Sequence, residues 1–500
     1  MKNSILSDYS LSTATHTFDI VGSLRVKVEE LANPLAIPMD RWFAMAARIN
    51  PKRSFLFVSK VLGKHIPVRA HTPLLCGAAL ALLLYRELYG AALPDRSAVE
   101  ELLHEAAHGL DDPEYAEQAY ARVREAALVP PEPLLFIGFA ETATALGHSM
   151  YGVFGGNVSY IHTTREDIPE LSSAISFEEE HSHAVDHRCY ALNPDLFAGG
   201  EPVVLVDDEI TTGRTVLNII RDIHAKYPRP VYYVASILDW RTGPDAMRYA
   251  ELERELGIAI RPLCLFRGVM EAAGAPLPAG APLSAGAPLP AGAPLPAGAP
   301  LPAEAGPSAE RHPVTPIEPL AVADGMQRVR VSSVDTLGVV HHAPYLRYTG
   351  RFGLNAAENA ELDRYAAVLA RQLRARRGGG PALVLGVGEF MYLPMRIAAE
   401  LGPEVYYQST TRSPIHAVRR EDYGVRCAET YPSPADPAIV NYIYNVEPGQ
   451  YEDIFVVFER PADADRLRPM AERLGRLAGR KTHLVFPSEE GGQAYEQPGN

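Results

Sequence analysis

From Ala272 to about Ala305 the chain repeats the hexamer Ala-Gly-Ala-Pro-Leu-Pro, interrupted once at Ser284. Proline removes amide donors and blocks both helix and sheet. Glycine adds backbone entropy that no packed core offsets. The segment therefore reads as a solvated, partly extended linker, and its period is too short and too proline-rich for a stacked repeat. It divides a 500-residue chain, long enough for two or three domains, into two foldable regions. The expected organisation is an N-terminal segment (1–25), a first domain (26–270), the linker (271–312), a second domain (313–490) and a tail (491–500).

Both regions alternate strand and helix signals. In the first, Ala79–Leu88 has helical composition, and Pro133–Phe139, Val158–His162, Pro202–Val206 and Val231–Leu238 read as strands. Val216–Lys226 reads as the helix after the third of these. This alternation implies an α/β domain with a doubly wound, mostly parallel sheet, whose ligands sit at the carboxyl ends of the strands. In the second, Ala356–Arg376 and Asp465–Leu477 read as helices, and Pro381–Gly386, Val405–Gln408 and Asp453–Phe458 as strands. The second α/β domain also parallels the first. Leu135–Glu141 resembles Val384–Glu389, and Tyr160–Arg165 resembles Tyr407–Arg412. The glutamate-to-arginine separations are 24 and 23 residues. A diverged copy and a chance likeness both account for this, and different strand orders would exclude the copy.

The formal charge of −14 disfavours direct nucleic-acid binding, which needs a basic surface, but leaves room for a small phosphorylated ligand held by local amides and a few cations. The four cysteines, Cys76, Cys189, Cys264 and Cys427, form no CxxC pair, which fits a reducing cytoplasm. No apolar run of transmembrane length and no leader-like start stand out, so no membrane association is expected.

The chemistry concentrates in Val203–Thr215. A buried strand delivers Asp207, Asp208 and Glu209 to its end, and Ile210, Thr211, Thr212, Gly213, Arg214 and Thr215 lead into a helix. Small and hydroxylated residues at a helix N-terminus form an anion site, and glycine lets the backbone come close. Two carboxylates beside a phosphate cradle would repel it unless they bind ribose hydroxyls or a hydrated divalent cation. The loop reads as a 5-phosphoribosyl site.

This thirteen-residue pattern resembles the signature of type I phosphoribosyltransferases, which bind 5-phosphoribosyl-1-diphosphate (PRPP). The resemblance implies that Asp207 and Asp208 hold the ribose hydroxyls directly or through Mg2+. It further implies that Thr211, Thr212, Gly213 and Thr215 hold the 5-phosphate. Arg214, where the family has a small residue, either adds a donor or faces solvent. Glu209 either acts on the acceptor proton or turns to water. In the same family the loop after the first core strand binds diphosphate, a role that falls here on Gly138, Ala140, Glu141 and Thr142; a tight capped turn is the alternative. Arg165 opens a segment, Glu166 to His187, that corresponds to a mobile hood and would meet the diphosphate bidentately. Within it His181, Ser182, His183 and His187 suggest either a metal site or a solvated loop. Lys52, Arg53 and Lys60 form either a basic rim near the phosphates or a solvated turn.

With Thr411-Arg412-Ser413-Pro414 in the second domain, the chain resembles a subfamily from bacterial tellurium-resistance and stress gene clusters, in which a region named for the Thr-Arg-Ser-Pro motif follows the transferase. That resemblance implies transfer of 5-phosphoribosyl from PRPP with Mg2+ to a nitrogen nucleophile, a nucleobase-like acceptor, in nucleotide-like metabolite synthesis or salvage. A PRPP-binding regulator without turnover is the alternative. A homodimer is expected. The second domain, through Gly388, Glu389, Thr411, Arg412 and Ser413, is expected to bind a ligand, with a structural or dimerising role as the alternative.

Overall fold

The computed structural model describes residues 14–49, 54–177, 187–274, 317–323 and 325–488. The first half builds an eight-stranded sheet in the order Thr15–Asp19, Arg25–Ala32, Ala259–Ala273, Val231–Asp239, Val203–Ile210, Leu134–Gly138, Val158–His162, Leu354–Asn355. Its five central strands are parallel, and in chain order they lie second, first, third, fourth, fifth. Val203–Val206 shows why this strand is central: four consecutive apolar residues are buried on both faces, as helices on either side of a parallel sheet require. The helix that follows, Arg214–Lys226, buries Val216, Leu217, Ile219, Ile220 and Ile223, one apolar stripe at helical spacing.

The second half builds a six-stranded sheet in the order Ile317–Ala323, Lys481–Ser488, Asp453–Val457, Ala382–Gly386, Val405–Ser409, Val68–Arg69. Four of its strands repeat the order second, first, third, fourth, all parallel. A helix follows the first strand in each half, Ala143–Tyr151 and Tyr392–Glu400, and an antiparallel pair lies between the second and third strands of each. The shared order is what a diverged copy requires. The fifth position differs: the first half fills it with Ala259–Ala273, the second with Ile317–Ala323, which precedes its other strands.

The two halves exchange edges. Val68–Arg69 of the first pairs antiparallel with the second strand of the second half, and Leu354–Asn355 returns the exchange on Val158–His162. The docking bonds match one for one. The Ser409 amide donates to Gly63 O at 2.7 Å, and the His162 amide to Gly350 O at 3.1 Å. Gly63 (φ +68°) lies against the Tyr407 ring and Gly350 (φ +94°) against the Tyr160 ring, so closely that a Cβ would approach ring atoms to 2.7 and 2.5 Å. Thr163 N donates to Gly138 O and Thr410 N to Gly386 O, both at 2.9 Å.

Several expected boundaries move. Thr15–Asp19 belongs to the first sheet, so the described part of the N-terminal segment is not separate. The strand Ala259–Ala273 continues three residues into the expected linker, because Ala272 and Ala273 pair with Val26 and Arg25. Residues 275–312 lie outside the described residues. Helix Thr72–Tyr89, with Gly90–Ala92, is long and apolar enough by composition to span a membrane, contrary to the sequence reading. Thr72 to Leu84 are nevertheless buried against other helices of the fold, the usual place of a helix apolar all round.

Candidate functional site

The strand Val203–Ile210 carries its acids within the sheet: Asp207 pairs with Ser236 and Glu209 with Leu238. Alternation puts Asp207 and Glu209 on one face and Asp208 on the other. The Asp208 amide donates to Asp207 Oδ1 at 2.9 Å. Burial, then the neighbouring Glu209, push the Asp208 carboxyl up to about 6. Beyond the strand, Gly213 adopts the left-handed conformation (φ +70°) that starts helix Arg214–Lys226, and a Cβ there would collide with Tyr249. Tyr249 donates to Gly213 O at 3.4 Å. Thr211, Thr212 and Thr215 are half-buried at this helix start, and Arg214 is exposed. The acids and the helix N-terminus thus stand side by side, as the sequence implied.

The loop after Leu134–Gly138 departs from expectation in part. A Cβ on Gly138 would lie 2.6 Å from both Ala143 O and Tyr160 Oη, so this glycine serves packing rather than ligand approach. The Ala140 amide already donates to Thr163 Oγ1 at 2.8 Å, and Ala140 is buried. Glu141 and Thr142 are the half-buried residues of the loop, at the start of helix Ala143–Tyr151.

Lys64 enters this site without any signal the sequence reading used. It sits on the exchanged segment, its side chain 2% exposed, with Nζ 3.1 Å from Glu141 Oε1. The same ammonium donates to Ser409 Oγ at 3.2 Å and to Thr410 O at 3.0 Å. Burial lowers the Lys64 pKa while Glu141 works against that. Burial alone would raise the Glu141 carboxyl, but Lys64, Arg412 and Arg165 together hold it below its ordinary value. A glycine–cation dipeptide beside an apolar run, Gly63-Lys64, recurs as Gly350-Arg351 and was the available clue.

Arg165 is pinned from the other half: its amide donates to Glu389 Oε1 at 2.8 Å, and its Nε lies 3.4 Å from His187 Nε2. The segment expected as a free hood is anchored where it is described. Glu166 takes hydrogen bonds from Tyr345 and Arg460, Ile168 is buried with Tyr190, Tyr345 and Phe352, and Ile175–Phe177 pairs with His187–Cys189. The reason is the second half, whose aromatic and basic residues cover it. His181, Ser182 and His183 lie outside the described residues. His187 is buried, with Nδ1 3.0 Å from Thr163 Oγ1. Lys52 and Arg53 also lie outside the described residues, while Lys60 turns to Asp40 O at 2.7 Å rather than to a phosphate site.

The second half's equivalent site is filled from within. Gly138 pairs with Val206 and Gly386 with Val457, so Asp208 corresponds to Glu459 and Glu209 to Arg460. Arg351, the counterpart of Lys64, is buried and bidentate on Glu459 (3.2 and 2.7 Å), and reaches Glu389 at 3.2 Å and Thr164 Oγ1 at 2.5 Å. Beside it remains a cavity with room for about one water, lined in part by Thr144, His162, Thr349 and Glu389. Glu389, expected as a ligand contact, is therefore an internal acceptor, and Gly388 donates to Thr410 Oγ1. Thr411 is buried, whereas Arg412 and Ser413 are half-buried.

With this geometry, comparison with known proteins becomes informative. Residues 42–269 match the family model described as phosphoribosyl transferase, and residues 348–474 match that of the TRSP domain found C-terminal to it. The chain therefore carries a phosphoribosyl transferase domain with a TRSP domain C-terminal to it. Its transferase and TRSP domains are the two halves described above. No curated protein matches the chain. Among solved structures it is similar to adenine phosphoribosyl transferase from Trypanosoma brucei, with 19% identity over 31% of this chain and 65% of that chain and a TM-score of 0.23. It is similar to APRTase from Giardia lamblia, with 16% identity over 32% of this chain and 84% of that chain and a TM-score of 0.22. A hypoxanthine phosphoribosyltransferase from Staphylococcus aureus gives 11% identity over 24% of this chain and 58% of that chain, with a TM-score of 0.17. This chain thus spans less than two thirds of the trypanosomal and staphylococcal enzymes.

Asp207 and Asp208 are the side chains that could hold a divalent cation. Among the described residues no three His, Cys, Asp or Glu side chains form a metal cage. Asp208, raised by burial and by Glu209, is a carboxyl whose ionised form a divalent cation would favour.

Proposed function

We propose that the transferase domain binds PRPP with Mg2+ and moves its 5-phosphoribosyl group to a nitrogen nucleophile, a nucleobase-like acceptor, releasing diphosphate. The observation that carries this reading is the placement of Asp207, Asp208 and Glu209 beside the left-handed Gly213 and the first turn of Arg214–Lys226. Thr211, Thr212, Gly213 and Thr215 hold the 5-phosphate on helix amides and hydroxyls. Asp207 and Asp208 hold the ribose hydroxyls and, through water, the metal. When bound, Mg2+ neutralises charge on the departing diphosphate.

The acceptor nitrogen forms its bond to C1 as the bond from C1 to the diphosphate oxygen breaks, and the electron pair leaves with that oxygen. The protein's work is positioning, electrostatic support and exclusion of water. Glu209, on the Asp207 face of the strand, takes the acceptor's proton in this reading. Glu141 and Thr142, at the start of Ala143–Tyr151, border the diphosphate together with Arg165.

Calorimetric titration of PRPP with Mg2+ into the full chain tests this. Micromolar binding is expected, lost in Asp207→Asn/Asp208→Asn, with diphosphate released when an acceptor panel is added. Binding without release from any acceptor leaves a PRPP-binding regulator. No binding by folded protein removes the proposal.

A further inference from the structure

The strand exchange brings the Thr-Arg-Ser-Pro turn of the TRSP domain against the loop of the transferase domain that carries Glu141. Lys64 Nζ joins the two, 3.1 Å from the Glu141 carboxylate and 3.0 Å from Thr410 O. A Cβ on Gly388 would lie 3.8 Å from Glu141 Oε1, which marks how closely the TRSP domain approaches. The turn itself is held firmly. Thr411 and Tyr442 exchange both backbone hydrogen bonds, at 3.1 and 2.7 Å. The Ser413 amide donates to Thr411 Oγ1 at 3.1 Å, and Tyr444 donates to Ser413 O at 2.8 Å. Arg412 thus projects from between two fixed residues.

Arg412 lies close enough to Glu141 to help hold it ionised, as does Arg165 from the transferase domain. Lys64 pairs with this carboxylate, and Arg165 and Arg412 also act on it. Among the described residues the Arg412 guanidinium donates no hydrogen bond, so its fork is available to an anion. That fork, beside the start of Ala143–Tyr151, suits a ligand carrying two or more negative charges.

We propose that Arg412 of the TRSP domain is a substrate-binding residue of the transferase site, gripping the diphosphate group of PRPP across the domain boundary. The inference rests on the transferase reading above. It gives the TRSP domain a role its own filled site cannot provide: it supplies one wall of the other domain's active site. The planar fork suits two phosphate oxygens at once, which a lysine ammonium matches only as a point charge.

The test is calorimetric titration of inorganic diphosphate, PRPP and ribose 5-phosphate, each with Mg2+, into the full-length wild type, Arg412→Ala and Arg412→Lys, with thermal melts to confirm folding. Arg412→Ala is expected to weaken diphosphate and PRPP at least tenfold and to leave ribose 5-phosphate within about twofold. Arg412→Lys should fall between. Unchanged diphosphate affinity in Arg412→Ala overturns the inference while the transferase reading stands. So does an equal loss for ribose 5-phosphate, which would mark general damage. A wild type that binds none of the three overturns both.

Discussion

The transferase and TRSP domains each receive a cation on an exchanged segment, and they use it differently. In the TRSP domain Arg351 closes on Glu389 and Glu459 together, so the site is satisfied by the protein's own charges. In the transferase domain Lys64 pairs with Glu141, while among the described residues it forms no ion pair with Asp208, the counterpart of Glu459. One domain spends its carboxylates on stability. The other keeps Asp207, Asp208 and Glu209 together at a cost, visible in the raised Asp208. A buried carboxyl raised by a neighbouring acid is what a site awaiting a cationic or hydroxylated ligand looks like.

The sharpest way to break this comparison is to remove each cation. Arg351→Met leaves Glu389 and Glu459 without their cation, while Glu166 keeps Arg460, and is expected to cost about 3–5 kcal/mol, as breaking a buried pair does. Lys64→Met removes the ion pair of Glu141 but leaves Arg165 and Arg412 acting on it, and should cost roughly half as much. Equal losses in urea unfolding of the two variants would mean that the sites are not used differently.

pH separates the two acids in opposite senses. Asp208 titrates at about 6, so Mg2+–PRPP affinity should fall as pH drops below 6, approaching tenfold per unit, because the bound form needs the carboxylate. Its raised pKa also means that folding stability falls as pH rises from its ordinary value toward 6. Glu166 runs the other way. Burial opposes its charge, but Arg460 and Arg351 hold its pKa at about 2, below its ordinary 4.5. Its contribution, on the order of 2 kcal/mol, is fully present above 4.5 and is lost as pH falls toward 2. Glu166→Gln should flatten the acid limb of the melting profile in that window. A parallel acid limb in the variant would show that Glu166 is not so held.

The smallest expected effect probes the likeness of the halves rather than their difference. Gly63→Ala and Gly350→Ala each put a methyl against a tyrosine ring at positive φ. Each should destabilise by about 1–3 kcal/mol, and by similar amounts. A large effect at one and none at the other would mean that the reciprocal docking is not equivalent.

Much of this was legible locally. The four-residue apolar strand before two acids and the glycine that starts Arg214–Lys226 are features of neighbouring residues. Local rules of burial on two faces and left-handed backbone therefore read them correctly. The parallel between Glu141…Arg165 and Glu389…Arg412 was legible too, and the shared strand order agrees with it. What was not legible were the partners. Gly138 and Ala140 look like anion-binding residues because small residues serve both close ligand approach and close packing, and only Tyr160 and Thr163 decide which. The hood segment looks mobile because the residues that hold it, Tyr345, Arg351 and Arg460, lie far along the chain.

The sequence by itself therefore determined the two α/β regions and the acidic strand end that runs through Gly213 into Arg214–Lys226. Each depends on residues within a turn or two of one another, whose periodicity and backbone preferences survive in a one-dimensional reading. The tertiary structure alone decided the exchange of edge strands, the placing of Lys64 and Arg351, and the approach of Arg412 to Glu141. Those contacts join residues as far as 346 positions apart. A buried charge is stabilised by whatever partner the fold brings within a few ångströms, and that pairing leaves no periodic trace in the chain.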